Sequence, residues 1–429
     1  MPGGQIIGES DGYTLLTDDT YSVDDGTYSD LYDDLVVNSI SGNGYLYLYD
    51  CHLIVKGDVN CGGIIVDDGS SFVCHGNAVI GYFYANYDTD NHIMIYGDLL
   101  ITDYSSLGNG IIELKGDLEV TGSSMYAYSG MQVVFSGEGE QHIKFRSMHS
   151  YEIHNLVNNN SSEKGIIFDY FMPQVENYQY SEGSKLYWCG KEFLVLSFDS
   201  IEEGDEVLID SDCILTGGYY YKNLYGKLTV NGDLYVSSGY LYINGGELNV
   251  AGGLYIANPG FDFECFEEYD NGFIGDHKER EGTVWENKKY EYSFGVLQLH
   301  NGLIHVGGDF IWASNYSNSF LDSGVLEVAG DYLVDKYRYG GGIYGYSGSK
   351  VVFCGNCLQN VGMLYDYTTN QDFENLEITN TSEEGVNFAE YGDDNLYVHR
   401  PFRRYGDELC HRRKSIPCRR GAGIFSEGY

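Results

Sequence analysis

The feature that most restricts the fold of this chain is a short recurring pattern: an apolar residue, a spacer, Gly-Asp, then an apolar residue opening an alternating run. It first reads Val55-Lys56-Gly57-Asp58-Val59 and returns at 95–99, 114–118, 230–234, 306–310 and 328–332. Relaxed copies carry Gly76-Asn77 and Gly137-Glu138. Gly57, Gly76, Gly97, Gly116 and Gly137 follow one another at 19, 21, 19 and 21 residues. A unit of about 20 residues made of alternating runs and glycine turns cannot bury its apolar face alone. Stacked on copies of itself, it builds a continuous core.

A second series, Gly232, Gly252, Gly308, Gly330 and Gly355, is spaced by 20, 56, 22 and 25 residues. The two series define two large repeats, predicted at 1–190 and 191–394. Their one mismatch, 56 against 21, implies 35 inserted residues, assigned to 258–294, where alternation is lost around Phe263-Glu264-Cys265-Phe266. Inserted loops are where repeat proteins often place function, although a tolerated surface excursion is the plainer reading.

Composition agrees with an all-β chain. There are 57 Gly and 5 Pro, so glycine punctuates tight turns and not flexible linkers. The 42 Tyr, with Val, Ile and Phe, favour a pleated surface. The predicted fold is a parallel β-solenoid, a right-handed β-helix with coils of about 20 residues. A series of β-sandwiches is the rival, because meanders also turn every 8 to 12 residues, and the near-constant 19–21 spacing favours the solenoid. The ten glycines at 57, 76, 97, 116, 137, 232, 252, 308, 330 and 355 are assigned as structural turn positions, expected at positive φ. The neighbouring Asp is expected to cap local backbone donors.

The net charge is −40, from 64 acidic and 24 basic residues. No nucleic-acid partner is expected of the acidic body, since phosphate binding needs clustered Lys and Arg. No stretch reaches the ~20 apolar residues of a membrane span, so no membrane insertion is expected. The first residues show neither a basic nor an apolar leader segment, which fits a cytoplasmic chain or a piece of a longer secreted one. Eight of the 24 basic residues fall in the last 35, including Arg403-Arg404 and Arg412-Arg413-Lys414. That tail, 395–429, carries no alternation and is expected to be disordered. Its charge could lie along the acidic body.

No catalytic or metal centre is expected. Cys354-Gly355-Asn356-Cys357 lacks the second pair of a zinc site, although Cys410, His411 and Cys418 could in principle complete one. Its register with Ser136-Gly137-Glu138-Gly139 makes it packing variation. The ten cysteines have no framework spacing and read as free buried thiols. Calcium is the one cofactor candidate, through Asp58, Asp98, Asp117, Asp233, Asp309 and Asp331, but the Gly-Gly-x-Gly-x-Asp calcium signature is absent. Tyr45, Tyr47 and Tyr49, Tyr219-Tyr220-Tyr221, and Tyr240 with Tyr242 alternate with apolar residues. If Leu46 and Leu48 face the core, these tyrosines face solvent as an aromatic stripe, stabilising the sheet or stacking on sugars. Asp88-Thr89-Asp90-Asn91-His92 is the nearest thing to an acidic cluster and reads as a loop.

Both halves close alike. Gly137-Glu138-Gly139-Glu140-Gln141 leads to Asn155-Leu156 and to Asn160-Ser161-Ser162-Glu163-Lys164-Gly165-Ile166-Ile167-Phe168. Gly355-Asn356-Cys357-Leu358-Gln359 leads to Asn375-Leu376 and to Asn380-Thr381-Ser382-Glu383-Glu384-Gly385-Val386-Asn387-Phe388. This arrangement resembles the Gly-rich β-solenoid repeat regions of large bacterial cell-surface and secreted, adhesin-like proteins, mostly of unassigned activity. The resemblance implies a non-enzymatic structural or adhesive segment, extracellular or at the cell surface, with a cell-surface glycan or protein as partner. The alternative is a carbohydrate-binding or polysaccharide-cleaving β-helix using the tyrosine face or the 258–294 insertion. The acid pairs and basic motifs of polygalacturonase-like enzymes are absent.

Overall fold

The computed structural model describes residues 7–8, 13–15, 20–145, 151–169, 172–196, 198–217, 221–259, 290–291, 293–314, 320–336, 344–345, 348–365, 372–388, 397–398 and 403–404. They form strands and turns and no helix, so none is long and apolar enough to cross a membrane. The chain is a β-solenoid of about 14 turns with ~21-residue spacing, dividing into two compact units, Met1–Glu192 and Phe193–Tyr429.

Each coil feeds parallel ladders, pairing with the equivalent residues one coil away; in the first unit long strands such as Leu99–Leu114 run through more than one ladder. In the first unit one such ladder runs through Asp34–Val37, His52–Val55, Ser71–Cys74 and Asn91–Ile95. In the second unit the three ladders are separate sheets of eight, six and eight strands. Parallel register brings like residues together. Leu35 pairs with Leu53, Leu53 with Phe72, Phe72 with Ile93, and Ile93 with Ile112. All five are buried. At about 1.5–3 kcal/mol for each fully buried aliphatic or aromatic side chain, this inward row is what holds the coils on one another.

Cys74 occupies an inward position between Val55 and Ile95, and Cys213 one between Leu194 and Leu234. Both serve as small apolar residues. Cys51, Cys61, Cys74 and Cys213 are buried and free, Cys189 and Cys354 are half-buried, and Cys357 is exposed. The expectation of buried thiols therefore fails at Cys357, which sits on a turn outside the core. Cys265, Cys410 and Cys418 lie outside the described residues.

The glycine turns need correcting. None of the ten assigned glycines has a positive φ. What excludes a side chain there is the coil next door. A Cβ on Gly97 would lie 2.5 Å from the carbonyl oxygen of Gly76, and one on Gly116 2.4 Å from that of Gly97. Gly330 is in the same position against Gly308, at 2.5 Å. Within each series glycines stack on glycines, with Gly76 donating to Gly57 at 3.1 Å and Gly330 to Gly308 at 2.8 Å, whereas Gly57, Gly137 and Gly355 lie against Asn38, Lys115 and Ala329.

The 56-residue interval is also resolved. Leu254 pairs directly with Phe310 and Leu241 with Leu297, so the coil before the insertion stacks on the coil after it. The inserted chain leaves and returns through an antiparallel pair, Asn258–Pro259 with Tyr290–Glu291. Residues 260–289 and 292 lie outside the described residues. The tail needs one correction as well. Tyr397–Val398 pairs with Asp372–Phe373 and Arg403–Arg404 with Glu377–Ile378, in parallel. The ladders thus continue past 394, and the rest of 395–429 lies outside the described residues.

Candidate functional site

Two rows on the outside of the coils concentrate chemically distinctive side chains. The first is the Gly-Asp corner. Asp58 Oδ1 accepts from the backbone N–H of Asn77 at 2.9 Å, Asn77 Oδ1 from Asp98, Asp98 Oδ1 from Asp117, and Asp117 Oδ1 from His142. The second unit repeats this through Asp212 to Asp233, Asp233 to Gly253, Asp309 to Asp331, and Asp331 to Asn360, each at 2.8 Å. The capped donors are therefore one coil away and not local, as the turn reading had them. Asp212 was missed because its corner reads Ser211-Asp212 without glycine, although its 21-residue offset from Asp233 marks it. Asn77 makes the same bond as the carboxylates, so the row needs an acceptor oxygen and no charge. Among the described residues no three His, Cys, Asp or Glu side chains converge to hold a metal ion.

The second row is aromatic and lies on the third ladder of the first unit, where Tyr28–Leu31 pairs with Tyr45–Tyr49 and Tyr45–Tyr49 with the second half of Val59–Asp67. Leu46 and Leu48 are fully buried, so Tyr45, Tyr47 and Tyr49 face outward, half-buried. Tyr45 stacks on Tyr28, and Tyr49 on Tyr32, with centroids 5.2 Å apart in both pairs. Gly63 follows Tyr45 in register, and a Cβ there would lie 2.4 Å from the Tyr45 ring. The missing side chain lets that ring lean across the gap toward Tyr82, 6.4 Å away. Tyr82 stacks on Tyr104 at 5.7 Å, and Tyr87 packs edge-on against Tyr128 at 4.9 Å.

Tyr28, Tyr32, Tyr82, Tyr84, Tyr87, Tyr104, Tyr126 and Tyr128 were not singled out from sequence. The spacings 28–45 and 82–104, close to the coil length, were the available signal. In the second unit, among the described residues, Tyr221 contacts Tyr240 and Tyr242, both at 4.9 Å, and Gln298 follows Tyr242 in register. Tyr219 and Tyr220 lie outside the described residues.

Burial raises the Tyr47, Tyr49 and Tyr84 hydroxyls above their ordinary value, and nearby acids add to it: Asp30 for Tyr47, Asp30 and Asp67 for Tyr49, Asp67 and Asp88 for Tyr84. Residues 1–130 hold 20 Asp and Glu against Lys56 and Lys115 alone. Both lysines lie at Gly-Asp corners, and Lys115 is paired with Glu113 at 2.7 Å. The tyrosine face is thus an aromatic surface in a negative field. In the Asp88–His92 segment a loop through Asp90 leads into the strand that starts at Asn91, and Asp90 accepts from Asn109 of the next coil at 3.0 Å.

The Cys354–Cys357 turn matches the first unit in its bonds. Gly355 donates to Gln359 Oε1 as Gly137 does to Gln141 Oε1, both at 2.8 Å. Gln359 Nε2 donates to the carbonyls of Val328 and Gly330, as Gln141 Nε2 does to those of Leu114 and Gly116. Asn380 and Asn160 then donate to the same glutamine oxygens. The closing motif shared by the two halves is a polar network that ties neighbouring coils together, with Gln141, Asn160 and Gln359 buried.

Fold and surface together define a parallel β-solenoid with outward polar and aromatic rows. No family model, curated protein or solved structure matches the chain.

Proposed function

We propose that this chain is a non-enzymatic structural and adhesive segment of a bacterial cell-surface or secreted protein, with a glycan or protein of a surface as its partner. One observation supports the reading: outward side chains are engaged with their equivalents one coil away. Asp98 holds the Asp117 N–H, Tyr28 stacks on Tyr45, and His142 pairs with Asp169 and His300 with Asp322, each at 2.8 Å. Such rows repeat one local contact along the ladders and offer a uniform surface. Glycoside hydrolysis instead needs two carboxyl groups flanking one bond at a set separation.

The test uses the full chain coupled to beads. Retention on cell or matrix surfaces, with no new reducing ends from neutral or acidic polysaccharides, is the expected result. Release of reducing ends would overturn the non-enzymatic reading. A second reading, carbohydrate binding, draws on Tyr28 and Tyr32, whose side chains are 66% and 67% exposed. Glycan-array binding lost on Tyr28→Ala/Tyr32→Ala would favour it.

A further inference from the structure

We propose that the tyrosine face of the first unit docks an arginine-rich extended peptide segment of a partner protein. This inference rests on the adhesive reading and names what the surface would hold. Its centre is Tyr28-Ser29-Asp30-Leu31-Tyr32. Alternation places Tyr28, Asp30 and Tyr32 on the outward face, and all three are exposed. Each ring packs against the next coil, Tyr28 on Tyr45 and Tyr32 on Tyr49, and most of the surface of both residues stays exposed.

A guanidinium lies flat on such a ring and presents a fork of donors to a carboxylate. Tyr-x-Asp-x-Tyr supplies ring, acceptor and ring at two-residue intervals, about 6.6 Å each. An extended peptide running beside the strand carries alternate side chains at that same interval, which favours a peptide over a polysaccharide. The charge is complementary, because residues 1–130 carry 20 acidic residues against two lysines and no arginine. An anionic partner is repelled by the same field.

The experiment titrates full-length protein by calorimetry with a synthetic peptide of alternating arginine and serine, and with its lysine counterpart. The arginine peptide should bind several-fold tighter than the lysine one. Tyr28→Ala/Tyr32→Ala and, separately, Asp30→Asn should each weaken it about three- to tenfold, as loss of exposed cation–π and charge contacts implies. Asp30→Asn keeps the side-chain shape and guards against a folding artefact. Glu203→Gln, an exposed acid of the second unit, should leave affinity unchanged. If Glu203→Gln weakens binding as much as Asp30→Asn, the attraction is net charge alone and the inference fails. It fails equally if glucosamine oligomers bind and the peptides do not. Surface retention of the beads without peptide binding would overturn this inference and leave the adhesive reading standing.

Discussion

At the scale of single residues, the Gly-Asp corner separates two requirements that a sequence motif fuses. Glycine is required by the approach of a neighbouring backbone, and Asp by one N–H in the next coil. Gly97→Ala should therefore cost about 1–3 kcal/mol in urea unfolding, as overpacking does. Gly139→Ala, where a Cβ meets nothing within 4 Å, should be nearly neutral. Equal effects of the two would sink the stacking explanation. Asp98→Asn should be tolerated, since Asn77 already does this job, whereas Asp98→Ala should lose about 0.5–1.5 kcal/mol with the solvent-accessible bond to the Asp117 N–H. The thiols offer a further check. Burial pushes Cys61 up to about 12 and Cys74 to about 11. The reactive thiolate forms only above those values. At pH 9 iodoacetamide should alkylate the exposed Cys357 quickly and leave Cys61 and Cys74 untouched until urea is added, as read by peptide mass mapping. Rapid native labelling of Cys61 would contradict its placement.

At the scale of elements, the closing network joins successive coils through one buried glutamine amide in each unit. Gln141 both accepts, from Gly137 and Asn160, and donates, to Leu114 and Gly116. Gln141→Ala leaves several buried groups without partners and should cost about 2–4 kcal/mol. Gln359→Ala should do the same to the second unit. Hydrogen exchange followed by mass spectrometry should show the loss of protection beginning in the coils that carry the substituted residue; a uniform, sub-kilocalorie effect would mean that the network is ornamental. The motif was legible as a pattern from its duplication, since Gly-x-x-x-Gln and Asn-x-Ser-x-x-Gly stand out in both halves. Its role was not, because the partners of Gln141 are 25 and 27 residues back in the chain. The same holds for the tyrosine face. Tyr45, Tyr47 and Tyr49 announce themselves by alternation, but Tyr28 and Tyr32 acquire meaning only when register sets them against Tyr45 and Tyr49.

At the scale of the whole molecule, 64 acidic residues against 24 basic ones leave a self-repelling surface. The Asp rows add to this by placing carboxylates coil upon coil, interrupted by Asn77 in the first unit and by Gly253 in the second. Raising NaCl from 10 to 200 mM, which shortens the screening length from about 30 Å to under 10 Å, should therefore raise the melting temperature by calorimetry. Calcium chloride at equal ionic strength should do no more if screening is the cause; a larger calcium effect would point to a specific ion site. Sequence alone determined the coil length, the two repeats and the presence of an insertion, because a parallel ladder forces each coil to reuse one residue pattern. Only the tertiary structure decided why the Gly-Asp turn is Gly and Asp. Its glycine answers to a backbone, and its aspartate to an N–H, that lie about 20 residues away in sequence and one strand spacing, ~4.8 Å, away in space.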